Sequence, residues 1–131
     1  MIGIDTNVLV RLFVVEEPHR ALAAAFFGSL SPAAPGYISL IALVEFAWVM
    51  KRRYRYSFEQ IGRGIQWLLD SDDFVIESRE RVEWALAHYT RSQIDFSDLV
   101  IAHSGEGAGV SHTATFDFDA AKFVPGMELL K

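Results

Sequence analysis

The chain has 131 residues, of which 51% are hydrophobic and 22% charged, so it is expected to fold as a single domain over 1–131 and is not intrinsically disordered. It contains no cysteine, which excludes disulfides, zinc–thiolate sites and thiol nucleophiles and fits a reducing cytosol. The formal net charge of −5 argues against a protein that coats nucleic acid, although an acidic site neutralised by a divalent metal can still bind phosphate.

Two segments bear on membrane insertion. The N-terminus lacks basic residues and its apolar run ends at Asp5, which is not the pattern of a signal peptide. The longest apolar stretch, 40–50, is interrupted by Glu45 and is far shorter than the about 20 residues that cross a bilayer. We therefore expect a soluble, cytoplasmic protein that does not contact membranes.

Short strands and helices are predicted to alternate along the chain. Strands are predicted over 2–5, which is expected to be buried, and over 37–39, 74–77, 112–116 and 127–130. Helices are predicted over 6–15, 19–27, 40–53, 57–69, 79–92 and 97–104. Ser39 and Ser97 are predicted N-caps, 57–60 has the spacing of a capping box, and 31–36 is a predicted loop. This alternation predicts an α/β fold with a parallel sheet covered by helices on both faces.

Three aspartates fall where such a fold places its functional sites. Sites in parallel α/β sheets form at the carboxyl ends of the strands, and Asp5 and Asp117 each end a predicted strand. Asp98 lies in the first turn of a predicted helix, where the helix dipole favours an anion. Each aspartate also has a structural alternative, because strand ends and helix caps are common positions for aspartate.

Glu45 has surroundings that a structural role explains less easily. Its neighbours three and four positions away on the predicted helix are all apolar: Ile41, Ala42, Trp48 and Val49. We therefore expect its carboxylate to be buried and to need a cation, a proton or a metal. The alternative is an ion pair inside the protein, for which Arg11 is the candidate partner.

The four carboxylates together suggest a metal site. Clustered carboxylates raise one another's pKa values by mutual repulsion, and a hard divalent cation removes that penalty. A ligand set made only of oxygen atoms suits Mg²⁺, with Mn²⁺ as a plausible substitute.

Four segments in order resemble the motifs of a known family. They are Ile4-Asp5-Thr6-Asn7-Val8-Leu9, the single Glu45 in an apolar helix, Asp95-Phe96-Ser97-Asp98-Leu99-Val100-Ile101-Ala102, and Ala114-Thr115-Phe116-Asp117-Phe118-Asp119. Together they resemble the motifs of PIN domains, and most closely those of VapC-like toxins from VapBC toxin–antitoxin systems.

The resemblance implies a set of site residues. The metal-binding and catalytic set is Asp5, Glu45, Asp98 and Asp117. Accessory positions are Thr6, Asn7, Asp95, Thr115 and Asp119. The resemblance further implies a three-layer α/β/α sandwich with a short, mostly parallel central sheet, Mg²⁺-dependent cleavage of RNA of the tRNA or rRNA class, a homodimer, and inhibition by a cognate antitoxin protein.

One basic segment and the histidines complete the candidate residues. The basic segment follows the helix that carries Glu45 and contains Lys51, Arg52, Arg53 and Arg55. It is either a track for RNA phosphates with tyrosines for base stacking, or a solvated helix end whose cations complement the dipole. The four histidines are scattered and none pairs at ligand spacing, so none is assigned to a metal.

The sequence thus leaves three functional hypotheses. The first is an Mg²⁺-dependent endoribonuclease, the toxin of a toxin–antitoxin pair, which hydrolyses RNA with metal-activated water. The second is a non-catalytic binding scaffold of PIN fold. The third is an aspartyl phosphoryl-transfer hydrolase with Asp5 as nucleophile, a chemistry that requires a second acid where this chain has Asn7.

Overall fold

The structure is a computed structural model that describes residues 1–16 and 18–131. The strands in these residues are β1 (Ile2–Gly3), β2 (Gly36–Ile38), β3 (Phe74–Ile76), β4 (Thr113–Thr115) and β5 (Met127–Leu129). The helices are α1 (Thr6–Val10), α2 (Arg20–Gly28), α3 (Leu40–Arg52), α4 (Phe58–Asp70), α5 (Arg79–Ser92), α6 (Phe96–Gly107) and α7 (Phe118–Phe123). No helix in the described part of the chain combines the length and apolar character of a membrane span.

All strand pairs are parallel, and they lie in two compact units. The first unit, Met1–Ser78, contains a three-stranded sheet in the order β1-β2-β3, and the second, Arg79–Lys131, contains the pair β4-β5. Parallel neighbours need long crossover connections, and helices of the same unit supply them. The prediction of an α/β fold built on short parallel strands and helices is therefore confirmed.

In the first unit, α3 supplies much of the core. Its buried side chains recur at spacings of three and four residues: Ala42, Leu43, Phe46, Ala47 and Met50. The predicted caps of both long helices are confirmed, because the Ser39 hydroxyl accepts from the Ala42 N–H at 3.2 Å and a capping box joins Ser57 and Gln60. The Ser39 cap marks the start of α3 directly after β2, and the capping box marks the start of α4.

In the second unit, α5 packs against α6. The buried face of α5 consists of Val82, Ala85, Leu86 and Tyr89. The Tyr89 ring meets Phe96 of α6 edge-on, with 5.6 Å between the ring centroids. This contact anchors the start of α6, the helix that carries Asp98.

Two predictions about the N-terminal segment are wrong. The first strand is short and its Ile2 side chain is 56% exposed, whereas Ile4, just after it, is buried. The first helix ends at Val10 and not near residue 15, because the following N–H groups of Arg11, Leu12 and Phe13 bond three residues back in tighter turns.

Two predictions about the C-terminal segment also need correction. Asp95, and not Ser97, is the N-cap residue of α6, so the helix begins one residue before Ser97 and continues to Gly107. The sequence also gave no indication of α7, because its six residues are too few to display a helical period.

The core of α3 can be tested by paired substitutions on one helix. Leu43 is fully buried and Ile41 is 69% exposed, so Leu43→Ala leaves a cavity and Ile41→Ala does not. We expect Leu43→Ala to lower the free energy of unfolding by about 2 to 5 kcal/mol, and Ile41→Ala by less than about 0.5 kcal/mol. Urea unfolding measures both values, and equal losses would contradict the packing described for α3.

Candidate functional site

Asp5 both ends a strand and caps a helix. It follows β1 with extended backbone, and its Oδ1 accepts a hydrogen bond from the Thr6 N–H at 2.8 Å. The structural role given above as the alternative, a helix cap, is therefore observed for Asp5. The side chain is nevertheless exposed, and the capping bond uses one of its two carboxylate oxygens, which leaves the other for a ligand.

Thr6 connects Asp5 to Glu45. Its backbone N–H donates to Asp5, and its hydroxyl donates to Oε1 of Glu45 at 3.0 Å. Two carboxylates that are 40 positions apart in the chain are thus oriented by one threonine. Thr6, the polar residue next to Asp5, therefore holds both carboxylates in the first unit.

The expectation that Glu45 is buried is wrong. Its carboxylate is exposed, and two of its four apolar neighbours on α3 are exposed as well, Ile41 at 69% and Trp48 at 60%. Apolar neighbours do not imply burial here because α3 is apolar on more than its core-facing side. The proposed internal ion pair is also not formed, since Arg11 pairs with Glu16 at 2.8 Å.

The Asp5–Thr6–Glu45 group lies in a groove of about 300 Å³, which we call the α1–α3 groove. Its lining comprises Asp5, Thr6, Asn7, Val10, Arg11, Glu45, Val49, Arg53 and Tyr54. Asp5 and Asn7 also line a larger cleft of about 540 Å³ formed with residues of α2. In the first unit, Asp5 and Glu45 therefore line an open groove that contains both polar and apolar side chains.

In the second unit, two aspartates act on the charge of a third, Asp98. Asp98 is half-buried in the first turn of α6, and its pKa is raised by burial first and then by the charges of Asp95 and Asp117. The Asp95 carboxylate makes no capping hydrogen bond at the start of α6. Like charges are thus held near Asp98 at a cost that a cation would remove.

Asp117 is held by its own local bonds. Its Oδ1 accepts from the Ala120 N–H at 3.0 Å and caps α7, and its backbone N–H donates to the Thr115 hydroxyl at 3.0 Å. Thr115 therefore orders the turn between β4 and α7. Asp119 is exposed in the first turn of α7, a position that favours an anion.

The donor chemistry of these residues fits a hard divalent cation. All candidate ligands are carboxylate or hydroxyl oxygens, which Mg²⁺ and Mn²⁺ bind while keeping several waters. Among residues 1–16 and 18–131, no three acidic or histidine side chains are close enough to hold an ion alone. Water and substrate oxygens would have to complete the coordination, as is usual for Mg²⁺.

The basic segment separates into different environments. Lys51 and Arg52 occupy the last turn of α3, as the structural alternative predicts, and the Lys51 Nζ lies 4.3 Å from the centre of the Phe58 ring. Arg55 is exposed with a left-handed backbone. Arg53 differs from these three because it lines the α1–α3 groove.

One further acidic side chain, Glu77, lies at a strand end and was not among the predicted site residues. Glu77 follows β3, and its Oε1 accepts from the Leu40 N–H at 2.7 Å. Its position as the last residue of the predicted strand 74–77 was the available signal. Its carboxylate thus supports the start of α3.

The histidines take part in other contacts. The Nδ1 of His103 accepts from Nε of Arg81 at 3.1 Å, so the side chain of this histidine is held by α5. His112 lies 3.2 Å from Glu128 on the neighbouring strand. Neither contact involves a candidate ligand.

Comparison with models of protein families matches residues 2–124 to the PIN domain. The matched range includes all the candidate carboxylates described above. A comparison with curated proteins found no match.

The raised pKa of Asp98 predicts how the stability of the fold changes with pH. The folded state binds the Asp98 proton more tightly than the unfolded state does, so this residue destabilises the fold as pH rises. We expect metal-free Asp98→Asn to be at least as stable as the wild type at neutral pH. The relative advantage should disappear below the ordinary aspartate pKa of about 3.9.

Urea unfolding in EDTA at several pH values measures this difference. Asp72→Asn, at an exposed aspartate in the turn after α4, is the matched control for the substitution itself. A large loss of stability in Asp98→Asn at neutral pH would contradict the repulsion described for the second unit.

Proposed function

Because this chain belongs to the PIN-domain family, we propose that it is a metal-dependent endoribonuclease. PIN domains are generally nucleases and bind nucleic-acid substrates. The observation that carries the proposal is the pairing of carboxylates within each unit. Asp5 and Glu45 share Thr6, and Asp98 lies under the influence of Asp95 and Asp117.

The proposed metal ligands are Asp5, Glu45, Asp98 and Asp117, with Mg²⁺ as the ion and Mn²⁺ as a substitute. Support comes from the oxygen-only donor set and from the raised pKa of Asp98, a penalty that a nearby cation relieves. The proposed accessory residues are Thr6, Asn7, Asp95, Thr115 and Asp119. Of these, Thr6 and Thr115 have bonds that orient a proposed ligand.

The chain's own residues prepare the reaction before the substrate arrives. Capping bonds fix Asp5 and Asp117, and the Thr6 hydroxyl fixes Glu45, so little reorganisation is needed. When bound, a divalent ion lowers the pKa of a water molecule and offsets charge on the scissile phosphate. Attack of water on phosphorus breaks the bond to the 3′ oxygen and leaves 5′-phosphate and 3′-hydroxyl ends.

The biological setting belongs to the same proposal. We infer a VapC-like toxin that cuts tRNA or rRNA in the cytoplasm, forms a homodimer, and is inhibited by an antitoxin. Exposed apolar side chains support a protein partner, because surfaces of this kind are used in association. They include Ile41 and Trp48 on α3 and Leu22 on α2.

A second candidate is a non-catalytic scaffold of the same fold. It is favoured by one observation, that no group of three potential ligands is preassembled in the described residues. The aspartyl phosphoryl-transfer alternative gains no such support, because Asn7, two residues after Asp5, remains where that chemistry needs an acid.

Cleavage of RNA tests the proposal directly. Total tRNA and rRNA are incubated with the protein in Mg²⁺, in Mn²⁺ and in EDTA. We expect discrete cuts that require the metal and that fall by about 100-fold or more in Asp5→Asn. Asparagine caps helices as well as aspartate does, so this variant should keep its fold.

The matched control for Asp5→Asn is Asp72→Asn, at an exposed aspartate outside the proposed site, which should cleave like the wild type. Metal-independent cutting, or equal activity in Asp5→Asn, would refute the proposed mechanism. Absence of cutting with wild-type protein would favour the scaffold.

The role of Thr6 can be tested separately. Thr6→Val removes the hydroxyl that orients Glu45 but keeps the side-chain shape, and Thr6→Ser restores the hydroxyl. We expect cleavage to fall by about 10-fold in Thr6→Val and to recover in Thr6→Ser. Equal activity of the two variants would show that this hydrogen bond does not serve the reaction.

A further inference from the structure

We propose that Arg53 binds a backbone phosphate of the nucleic-acid strand that occupies the α1–α3 groove. This inference rests on the proposed function, and it assigns one residue of the basic segment to the substrate. The other basic residues of that segment, Lys51, Arg52 and Arg55, are not assigned to this contact.

The position of Arg53 follows from the geometry of α3. Glu45 and Val49 of α3 and Arg53, the residue that caps its C-terminus, are spaced four residues apart and therefore lie on one side, and all three line the groove. Eight residues correspond to a rise of about 12 Å, and no ion pair joins Arg53 to Glu45 in the described part of the chain. Arg53 thus faces the same groove as the carboxylates but at a different point along it.

The charge of Arg53 is available to a ligand. The other arginine of the groove, Arg11, is already paired with Glu16 at 2.8 Å and interacts with the Tyr54 side chain. Arg53 is exposed, and its guanidinium lies 5.5 Å from the centre of the Tyr54 ring, a contact that does not neutralise its positive charge. A phosphate on this guanidinium therefore displaces no ion pair observed among the described residues.

The neighbouring basic residues differ from Arg53 in that they do not line the α1–α3 groove. Lys51 is half-buried, its ammonium lies over the Phe58 ring, and it does not line the groove. Arg52 and Arg55 are exposed but do not line the groove. Arg52 is consequently a matched control, because it has the same charge, a similar exposure and an adjacent position.

The negative charges that line the groove explain how a cation at Arg53 would help a nucleic-acid strand to bind. Asp5 and Glu45 repel a phosphate backbone, and this repulsion extends over roughly a Debye length, about 8 Å at physiological salt. An arginine farther along the groove attracts the strand and offers forked N–H donors that match phosphate oxygens. Arg53 therefore helps the strand to enter a groove whose proposed metal ligands would otherwise repel it.

Binding measured without cleavage isolates this role. Fluorescein-labelled oligouridylate is titrated with wild type, Arg53→Gln, Arg53→Lys and Arg52→Gln in EDTA, and anisotropy is read at several salt concentrations. We expect Arg53→Gln to weaken binding about 5-fold and to reduce the slope of log K against log salt by about 0.7, the value for one phosphate contact on a single strand. Arg53→Lys should restore most of the slope, and Arg52→Gln should match the wild type.

The outcomes separate this inference from the proposed function. Equal losses in Arg53→Gln and Arg52→Gln, or no loss in either, overturn the assignment of Arg53 even if the wild type cleaves RNA. A wild-type protein that binds the oligonucleotide through Arg53 but never cleaves RNA supports the assignment and refutes the nuclease. A wild-type protein that neither binds nor cleaves refutes both.

Discussion

Repulsion between carboxylates is the constraint on which the proposed site depends. Parallel strands that lead directly into helices place Asp5 and Asp117 at helix starts, where backbone N–H groups hold them. Asp98 is half-buried near Asp95 and Asp117, and its raised pKa records the cost of that placement. A fold selected for stability alone has no need to hold Asp95 and Asp117 near Asp98. A divalent cation turns the same arrangement into a favourable one, which links the acidic composition of the chain to phosphate chemistry.

Local signals in the sequence predicted most of the fold. Ser39 and the capping box at Ser57 mark the starts of α3 and α4, and the alternation of strands and helices predicts parallel pairing. Predictions of element boundaries were wrong where two capping residues compete or where an element is too short to show a period. Ser97 has good capping chemistry, but α6 begins earlier, and α7 is too short to produce a periodic pattern. The arrangement of the whole chain as a single domain stays a prediction.

The candidate residues were identifiable from the sequence, but their environments were not. Glu45 was expected to be buried because its helical neighbours are apolar, yet Trp48 is exposed beside it, since neighbours on a helix do not reveal which side the core covers. The hydrogen bond from Thr6 to Glu45 depends on how α1 and α3 pack, which no local pattern encodes. The same is true of the groove that distinguishes Arg53 from the other basic residues. The assignment of the four carboxylates to a metal remains a proposal.

Metal binding tests the central claim most directly. Mn²⁺ is titrated by calorimetry into metal-free wild type, Asp98→Asn and the control Asp72→Asn, without any RNA present. If the carboxylates form the metal site, the wild type and Asp72→Asn bind Mn²⁺ saturably, and Asp98→Asn binds it about 10-fold or more weakly. Failure of the folded wild-type protein to bind Mn²⁺, or equal binding by all three proteins, would contradict the claim.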